Sequence, residues 1–209
     1  MNALQVLESS PVLPVIVIHD MDVAVELAHA LVRGGVSCLE ITLRSEAALE
    51  AIAHISREVP EALVGAGTLR NARQLEAALR AGARFGVSPG LTPELAAAAR
   101  NADVPFLPGV ATASESMIAA DAGFTVQKLF PAQAVGGVAL LKALYGPMPD
   151  IAFCPTGGIN ATNAGQYMAL PNVKCVGGSW LTPDDAVARR QWDEITALAR
   201  QACALRTAS

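Results

Sequence analysis

Lysine, aromatic residues and charge are all scarce in this chain. Its 209 residues include three Lys beside twelve Arg, with 4% aromatic and 16% charged residues against 52% hydrophobic residues. The core must therefore be built mainly from Ala, Val, Leu and Ile, and an intrinsically disordered chain is excluded. The net charge of -4 also argues against a nucleic-acid partner, because such a partner requires a basic surface.

Long hydrophobic runs and paired cysteines are absent as well. The apolar run at residues 11–18 is too short to span a membrane and no Lys or Arg precedes it, so we expect no signal peptide and no membrane partner. The four cysteines show no CxxC spacing, and Cys38, Cys154 and Cys175 lie in apolar runs. We expect reduced, buried thiols in a cytoplasmic protein. The three histidines are scattered, which disfavours a metal site or a histidine-based triad.

Strand-like apolar runs alternate with Ala-rich helices along the chain. The eight predicted strands are Val12–Ile18, Cys38–Leu43, Leu63–Leu69, Phe85–Ser88, Phe106–Val110, Val126–Phe130, Ile151–Pro155 and Val173–Gly177. Each connection is long enough for a crossover helix, so neighbouring strands should be parallel. The pattern predicts one α/β domain over residues 1–209, a (β/α)8 TIM barrel with a short N-terminal helix covering one end. An open doubly wound sheet is the alternative, although no Gly-rich dinucleotide fingerprint follows the first strand.

Helix boundaries are predicted from capping residues. Helix starts with a side-chain cap are expected at Asn71, Thr92, Ser114 and Thr182, because their oxygens can accept from free backbone N–H groups. Helix ends are expected at Gly34-Gly35, Gly82 and Gly123, where glycine can adopt a left-handed C-cap.

Lys128 stands among apolar residues in the run Val126-Gln127-Lys128-Leu129-Phe130-Pro131. Lys142 occupies an ordinary helix position and Lys174 the polar start of a later strand. Lys128 is therefore the candidate for lysine chemistry. The alternative is an amphipathic lysine whose stem packs on apolar surface while its head reaches water.

Glu40 is predicted to point into the barrel. Period-two alternation places Cys38, Glu40 and Thr42 on one face of the second strand, opposite an aliphatic face that packs on the helices. A buried carboxylate is costly unless it is paired or functional. It could be paired with Arg44 in a purely structural role, or it could act as an acid or base.

Small residues close several other strands. Gly65-Ala66-Gly67-Thr68 would let a ligand approach the backbone, and the Thr68 hydroxyl could bind a carboxylate. Ser88-Pro89-Gly90 and Pro108-Gly109-Val110 are predicted to shape the cavity wall. The pairs Gly157-Gly158 and Gly177-Gly178, the latter followed by Ser179, are predicted turns toward helix N-termini. Such turns are suited to a phosphate, and barrels often place one there.

A lysine, a glutamate and a phosphate cradle together indicate Schiff-base chemistry on a phosphorylated keto compound. A desolvated amine loses its proton more readily and can attack a carbonyl group. Two alternatives remain at this point. One is a non-covalent phosphosugar isomerase or synthase, which needs a second acid or base where this chain has Ser88, Val110 and Thr156. The other is a non-catalytic phosphometabolite-binding barrel in which Lys128 contacts an anion.

The motifs at residues 39–44, 65–68, 88–90, 108–109, 128–132, 154–159 and 177–180 closely resemble those of the 2-keto-3-deoxy-6-phosphogluconate (KDPG) and 4-hydroxy-2-oxoglutarate (KHG) aldolases. The resemblance runs from about Leu13 to the last helix. It implies a class I aldolase of the Entner–Doudoroff pathway, without metal or cofactor, that takes a phosphorylated keto-acid substrate on a (β/α)8 barrel and is usually a homotrimer.

The resemblance also implies a role for each matching residue. Lys128 matches the Schiff-base lysine and Glu40 the general acid/base. The implied substrate contacts are Arg44 and Thr68 for the pyruvate carboxylate, Pro89, Phe130, Thr156 for a substrate hydroxyl, and Gly157, Gly158, Gly178 and Ser179 for the phosphate. Related galactonate-type aldolases tend to carry an apolar residue at the position of Thr156, which favours the gluconate-type substrate here.

Overall fold

A computed structural model describes residues 1–206 of the chain; the last three residues of the predicted domain lie outside this range. The strands are β1 (Val12–Ile16), β2 (Cys38–Thr42), β3 (Leu63–Gly67), β4 (Gly86–Val87), β5 (Phe106–Leu107), β6 (Gly109–Val110), β7 (Val126–Leu129), β8 (Ala152–Pro155) and β9 (Val176–Gly178).

Helices follow or separate most of these strands. They are α1 (Ala3–Glu8), α2 (Ala24–Arg33), α3 (Ala48–Glu58), α4 (Ala72–Arg80), α5 (Pro93–Asn101), α6 (Ala113–Asp121), α7 (Gly137–Tyr145), α8 (Ala164–Met168), α9 (Asp184–Ala188) and α10 (Trp192–Cys203), with 3-10 helices at Met21–Val23 and Ala204–Arg206. None of the described helices is long and apolar enough to cross a bilayer.

Every strand pair is parallel, as the crossover lengths predict. One sheet has the order β5-β4-β3-β2-β1-β9 and the other β6-β7-β8. Isolated parallel bridges join Phe153 to Val173 and Thr156 to Gly177, beside β8 and β9. The result is an α/β fold with a curled parallel sheet, and the predicted α/β class is confirmed.

Several predicted strand boundaries are wrong. The fifth run is divided at Pro108 into β5, which pairs with β4, and β6, which pairs with β7. Proline has no N–H to donate to a ladder, which accounts for the break. The first and third runs end at Ile16 and Gly67, and the last begins at Val176 rather than Val173.

Two clusters of buried residues lie on the two faces of the strands. The larger contains Leu39 and Ile41 together with apolar residues of the helices. The smaller contains Cys38 and inward-facing residues of other strands, and also Val6 and Leu7 of α1. The alternation predicted for β2 is thus confirmed, and α1 packs against the interior cluster as expected for a helix that covers one end.

The helix caps are partly as predicted. Asn71 and Thr92 cap α4 and α5 with their side chains. At α6 the capping residue is Thr112, which forms a capping box with Glu115, so the prediction of Ser114 is wrong. Thr182 does not cap α9 either: Pro183 occupies the N-cap position, and no side chain caps this helix. Glycines with positive φ end the helices as predicted, at Gly35, Gly82 and Gly123.

Candidate active site

Lys128 and Glu40 form a buried ion pair although they lie on strands that do not neighbour each other. Lys128 Nζ is 3.3 Å from Glu40 Oε1, and the two side chains are 8% and 1% exposed. The lysine lies on β7 of the three-stranded sheet and the carboxylate on β2 of the six-stranded sheet. The ammonium group is therefore not in water, and the alternative of an amphipathic surface lysine is wrong.

The second carboxylate oxygen of Glu40 is available for chemistry. Glu40 Oε2 is buried and has no hydrogen-bond partner among residues 1–206. A buried oxygen without a partner is costly, and such exceptions cluster where a ligand or a proton has to be handled. Glu40 can thus hold Lys128 through one oxygen and move a proton through the other.

Arg44 does not pair with Glu40. Its Nε donates to Thr42 Oγ1 at 3.2 Å, and the Thr42 hydroxyl donates to the carbonyl of Ile16 at 2.9 Å. The structural alternative of a Glu40–Arg44 pair is therefore wrong. Arg44 is exposed at the carboxyl end of β2, with guanidinium nitrogens left to meet an anion. Thr42 thus supports the Arg44 side chain, a role that was not predicted although the sequence placed Thr42 on the same face as Glu40.

Thr68 follows β3 in a strained conformation. Its φ is 60°, in the left-handed region that a β-branched residue rarely adopts. Such outliers cost of order 1–3 kcal/mol and persist where the surroundings enforce them, often at binding sites. The sequence predicted that the neighbouring Gly67 would leave room for a ligand. This prediction is wrong, because the Glu40 side chain occupies the space over Gly67.

Phe130 lies near the lysine, and both Phe130 and Pro89 follow the carboxyl ends of their strands. Lys128 Nζ is 5.4 Å from the centroid of the Phe130 ring, within range of a cation–π contact. Phe130 and Pro89 also line one small cavity of about 120 Å³. Cys154 is paired in register with Lys128 on the adjoining strand β8.

Thr156 is buried at the end of β8. Its hydroxyl lies 3.9 Å from Cys154 Sγ and 3.4 Å from the Cys154 carbonyl oxygen. A Cβ atom at Gly177 would overlap the Thr156 hydroxyl, so this glycine makes the space that Thr156 fills. The backbone bridge between the same two residues brings the ends of β8 and β9 side by side.

The predicted phosphate residues come together, but not as two turns. Gly157 and Gly158 form a turn with φ values of 103° and 78°. Gly177 and Gly178 instead end strand β9, and the Trp180 ring covers Gly178. The helices that follow, α8 and α9, have five residues each and begin several residues later. A phosphate here would be held by loop N–H groups and Ser179 more than by a helix dipole.

A cavity of about 630 Å³ opens beside this region. Arg44 and Ser179 line it together with His19, Asp20, Asp184 and Arg190. Arg44 and Ser179 were predicted as contacts for the two anionic ends of a substrate. The four other polar residues were not predicted, because His19, Asp20 and Arg190 lie on loops and Asp184 begins α9, and none of them belongs to a recognisable motif.

Burial also raises the pKa of two groups that lie outside the Lys128–Glu40 pair and the predicted substrate contacts. Desolvation raises the pKa of the Cys38 thiol to about 12, so this buried cysteine stays protonated. Desolvation likewise raises the pKa of Tyr167. Cys38, Cys154 and Cys175 are buried, as predicted, and Cys203 is partly buried; none of these four forms a disulfide. Within residues 1–206, no cluster of three or more His, Cys, Asp or Glu side chains is arranged to hold a metal ion.

Comparisons with known proteins give consistent results. The family model of the KDPG and KHG aldolases matches residues 4–198. A 2-dehydro-3-deoxy-phosphogluconate aldolase of Pseudoalteromonas atlantica is 54% identical over 199 residues, which cover 95% of this chain and 93% of that protein. The KHG/KDPG aldolase of Escherichia coli K12 is 50% identical over 201 residues, which cover 96% of this chain and 94% of that protein.

A solved structure is similar over the same length. It is a KDPG aldolase of Legionella pneumophila, with pyruvate captured at low pH as a covalent carbinolamine intermediate. Its TM-score is 0.95 at 44% identity, and the match covers 97% of this chain and 98% of that one. The similarity therefore extends over nearly the whole of both chains.

Proposed function

The chain belongs to the family of the KDPG and KHG aldolases, and from this membership we propose that it cleaves KDPG to pyruvate and D-glyceraldehyde 3-phosphate through an imine on Lys128. It is a carbon–carbon lyase, and we propose that it also acts on unphosphorylated KHG. The observation that carries the covalent mechanism is the buried contact of 3.3 Å between Lys128 Nζ and Glu40 Oε1.

The first half of the reaction forms the imine. Glu40 takes a proton from Lys128, and the neutral amine adds to the C2 ketone to give a carbinolamine. Glu40 then returns the proton to the departing hydroxyl group, so that water leaves and a protonated imine remains. Each well-placed proton transfer contributes roughly 10²- to 10⁴-fold.

The second half breaks the C3–C4 bond. The Glu40 carboxylate accepts the proton of the C4 hydroxyl, C4 becomes the aldehyde of glyceraldehyde 3-phosphate, and the bonding electrons move into the imine to give an enamine. Glu40 protonates the enamine carbon, and water hydrolyses the resulting imine to pyruvate and free Lys128. Arg44 and Thr68 orient the carboxylate end, while Gly157, Gly158, Gly178 and Ser179 hold the phosphate.

The proposal is tested by trapping. Borohydride added with pyruvate should reduce the imine and leave a stable mass adduct on Lys128. Lys128→Arg keeps the charge but cannot form an imine, and it should abolish both the adduct and the cleavage. Lys142→Arg, at an exposed helix position, is the matched control and should behave like the wild type. Cleavage that survives in Lys128→Arg would favour the non-covalent isomerase or binding-barrel alternatives.

The substrate is tested by comparing three compounds. Pyruvate release from KDPG, its galactonate epimer and KHG should be fastest with KDPG. Faster cleavage of the epimer would identify the related galactonate-type aldolase instead. If none of the three is cleaved, the proposed function is wrong.

We propose further that the strands close into one (β/α)8 barrel over residues 1–209. The six-stranded and three-stranded sheets meet at the run divided by Pro108, and the bridges beside β8 and β9 join their other edges. These contacts support closure. A single domain of this kind should unfold in urea in one transition that coincides by fluorescence and circular dichroism.

We propose a cytoplasmic homotrimer as the working state. The four cysteines form no disulfide within the described residues, which supports a reducing compartment. The exposed apolar residues Met117 and Ile118 on α6, at 58% and 63% exposure, support a subunit contact on this helix. Ile118→Asp should shift the mass measured by light scattering from trimer to monomer, whereas Ser114→Asp on the same helix should not.

A further inference from the structure

Several polar residues on the rim of the cavity of about 630 Å³ beside Ser179 have no role in the reaction described above. One wall is formed by Arg44 and Ser179, and the rim carries His19 and Arg190. An anion held at Ser179 therefore lies at the wall of a cavity that two further nitrogen-bearing side chains border.

Topology places the loop that carries His19 beside the loop that carries Ser179. Strand β1 pairs in parallel with β9, with Pro14 opposite Gly178. The loop after β1 must therefore leave the sheet beside the loop after β9, and these loops carry His19 and Ser179, respectively. The His19 side chain is exposed and can donate a hydrogen bond to a phosphate oxygen in either protonation state.

Arg190 lines the same cavity and has a strained backbone conformation. Its φ is 53°, a left-handed conformation that glycine adopts freely and arginine does not. Its Nη1 lies 3.2 Å from Glu26 Oε2 of α2, and both side chains are about half exposed. An exposed ion pair is worth little, so stability gives no clear reason to keep arginine here. Strain that persists in this way is a pointer to function.

We propose that His19 and Arg190 form an outer anion rim that favours phosphorylated over unphosphorylated substrates. This inference rests on the proposed function, and it assigns to the two residues the choice between KDPG and KHG. Their effect falls on substrate binding and not on the bond-breaking step, because neither side chain belongs to the Lys128–Glu40 pair.

Two carboxylates, Asp20 and Asp184, also line the cavity, and a negative charge there would weaken the binding of a phosphate. Asp20 is engaged in capping, since its Oδ1 accepts from the backbone N–H of Asp22 at 2.9 Å. Asp184 lines the cavity at the first residue of α9 and faces the same region as Ser179. Removing its charge should strengthen the attraction for a phosphate.

The experiment compares KM for KDPG and KHG across rim variants. His19→Ala and Arg190→Gly should each raise KM for KDPG about two- to fivefold, the size of one exposed polar or charged interaction, and leave kcat and the KM for KHG unchanged. Asp184→Asn should lower KM for KDPG about twofold. Arg189→Ala is the matched control, since Arg189 is the exposed neighbour of Arg190 and does not line the cavity.

Measurements of Tm and of phosphate binding distinguish a loss of anion binding from a folding defect. Arg190→Gly relieves the strained backbone, so its Tm should stay within about 2 °C of the wild type or rise, and a folding defect cannot explain a raised KM. Inorganic phosphate titrated by calorimetry should bind more weakly to Arg190→Gly than to the wild type, whichever substrate is cleaved. Equal KM changes for KDPG and KHG, an equal effect of Arg189→Ala, or unchanged phosphate binding would overturn the inference. Loss of cleavage in the wild type alone would refute only the proposed function.

Discussion

Gly67 lies against the carboxylate of Glu40, and a Cβ atom at Gly67 would overlap Oε1 and come within 2.6 Å of Cγ. The glycine at the end of β3 thus makes the space in which the Glu40 side chain turns toward Lys128. It is a positioning residue, because it acts through Glu40 and contributes no side chain of its own.

Gly67→Ala should therefore reduce kcat for KDPG cleavage by about 10²-fold or more, the size of one misplaced proton transfer. The added methyl group would push the carboxylate away from Lys128. Steady-state kinetics would measure kcat for cleavage, and borohydride trapping would measure formation of the imine on Lys128. Gly165→Ala, where a Cβ atom meets nothing within 4 Å, is the control and should leave kcat unchanged. Full activity of Gly67→Ala would contradict this role.

The buried pair should show strong coupling in stability. Lys128→Met leaves the Glu40 carboxylate buried without its partner and should lower the free energy of unfolding by about 3–5 kcal/mol. Adding Glu40→Gln should recover part of the loss, because the uncompensated charge is removed. Urea unfolding of both single variants and the double variant measures the coupling. Lys142→Met, at an exposed position, should change stability by less than about 0.5 kcal/mol. Strictly additive losses would show that the pair does not interact.

Thr156→Val should alter the choice between sugar epimers. The buried hydroxyl is the implied contact for a substrate hydroxyl, and removing one hydrogen bond costs about 0.5–1.5 kcal/mol or more when a partner is left unpaired. We expect kcat/KM for KDPG to fall about tenfold, with a smaller change for the galactonate epimer. Parallel assays with both epimers give the ratio. An unchanged ratio would mean that Thr156 does not read the substrate stereochemistry.

Cys38 should make the fold sensitive to alkali. Burial raises the pKa of its thiol from 9.0 to about 12, so above pH 9 the unfolded chain loses a proton that the folded chain keeps. Unfolding is then favoured as pH rises, and stability present below pH 9 is lost progressively toward pH 12. Between pH 8 and pH 10 this group should remove about 1.4 kcal/mol from the free energy of unfolding.

The variant Cys38→Ala isolates that contribution. Urea unfolding at pH 8 and pH 10 should show a smaller alkaline loss in Cys38→Ala than in the wild type, whatever the constant cost of the missing sulfur atom. Val36→Ala, at a buried position without a titratable group, should keep the wild-type pH dependence. An identical alkaline loss in Cys38→Ala and the wild type would assign the effect to other groups.

Several features of this structure could be predicted from local sequence patterns alone. The period of two along β2 predicted which face holds Glu40, because strand side chains alternate regardless of what surrounds them. The capping oxygens at Asn71 and Thr92 predicted helix starts, since a cap is a local hydrogen bond. Where local signals competed, as with Ser114 beside the Thr112–Glu115 capping box, the pattern could not choose correctly.

The sequence alone predicted the α/β class and the parallel strands from alternation and connection length, and it made Lys128 and Glu40 candidates for chemistry through their residue types and positions. The contact of Glu40 with Lys128, and not with the nearby Arg44, could be seen only in the folded chain, because it joins residues 88 positions apart on strands that are not neighbours. The tertiary structure also decided that Gly177 and Gly178 end a strand and that His19 and Arg190 border the cavity beside Ser179. Such contacts depend on how sheets curl and loops meet, and no local pattern of residues encodes them.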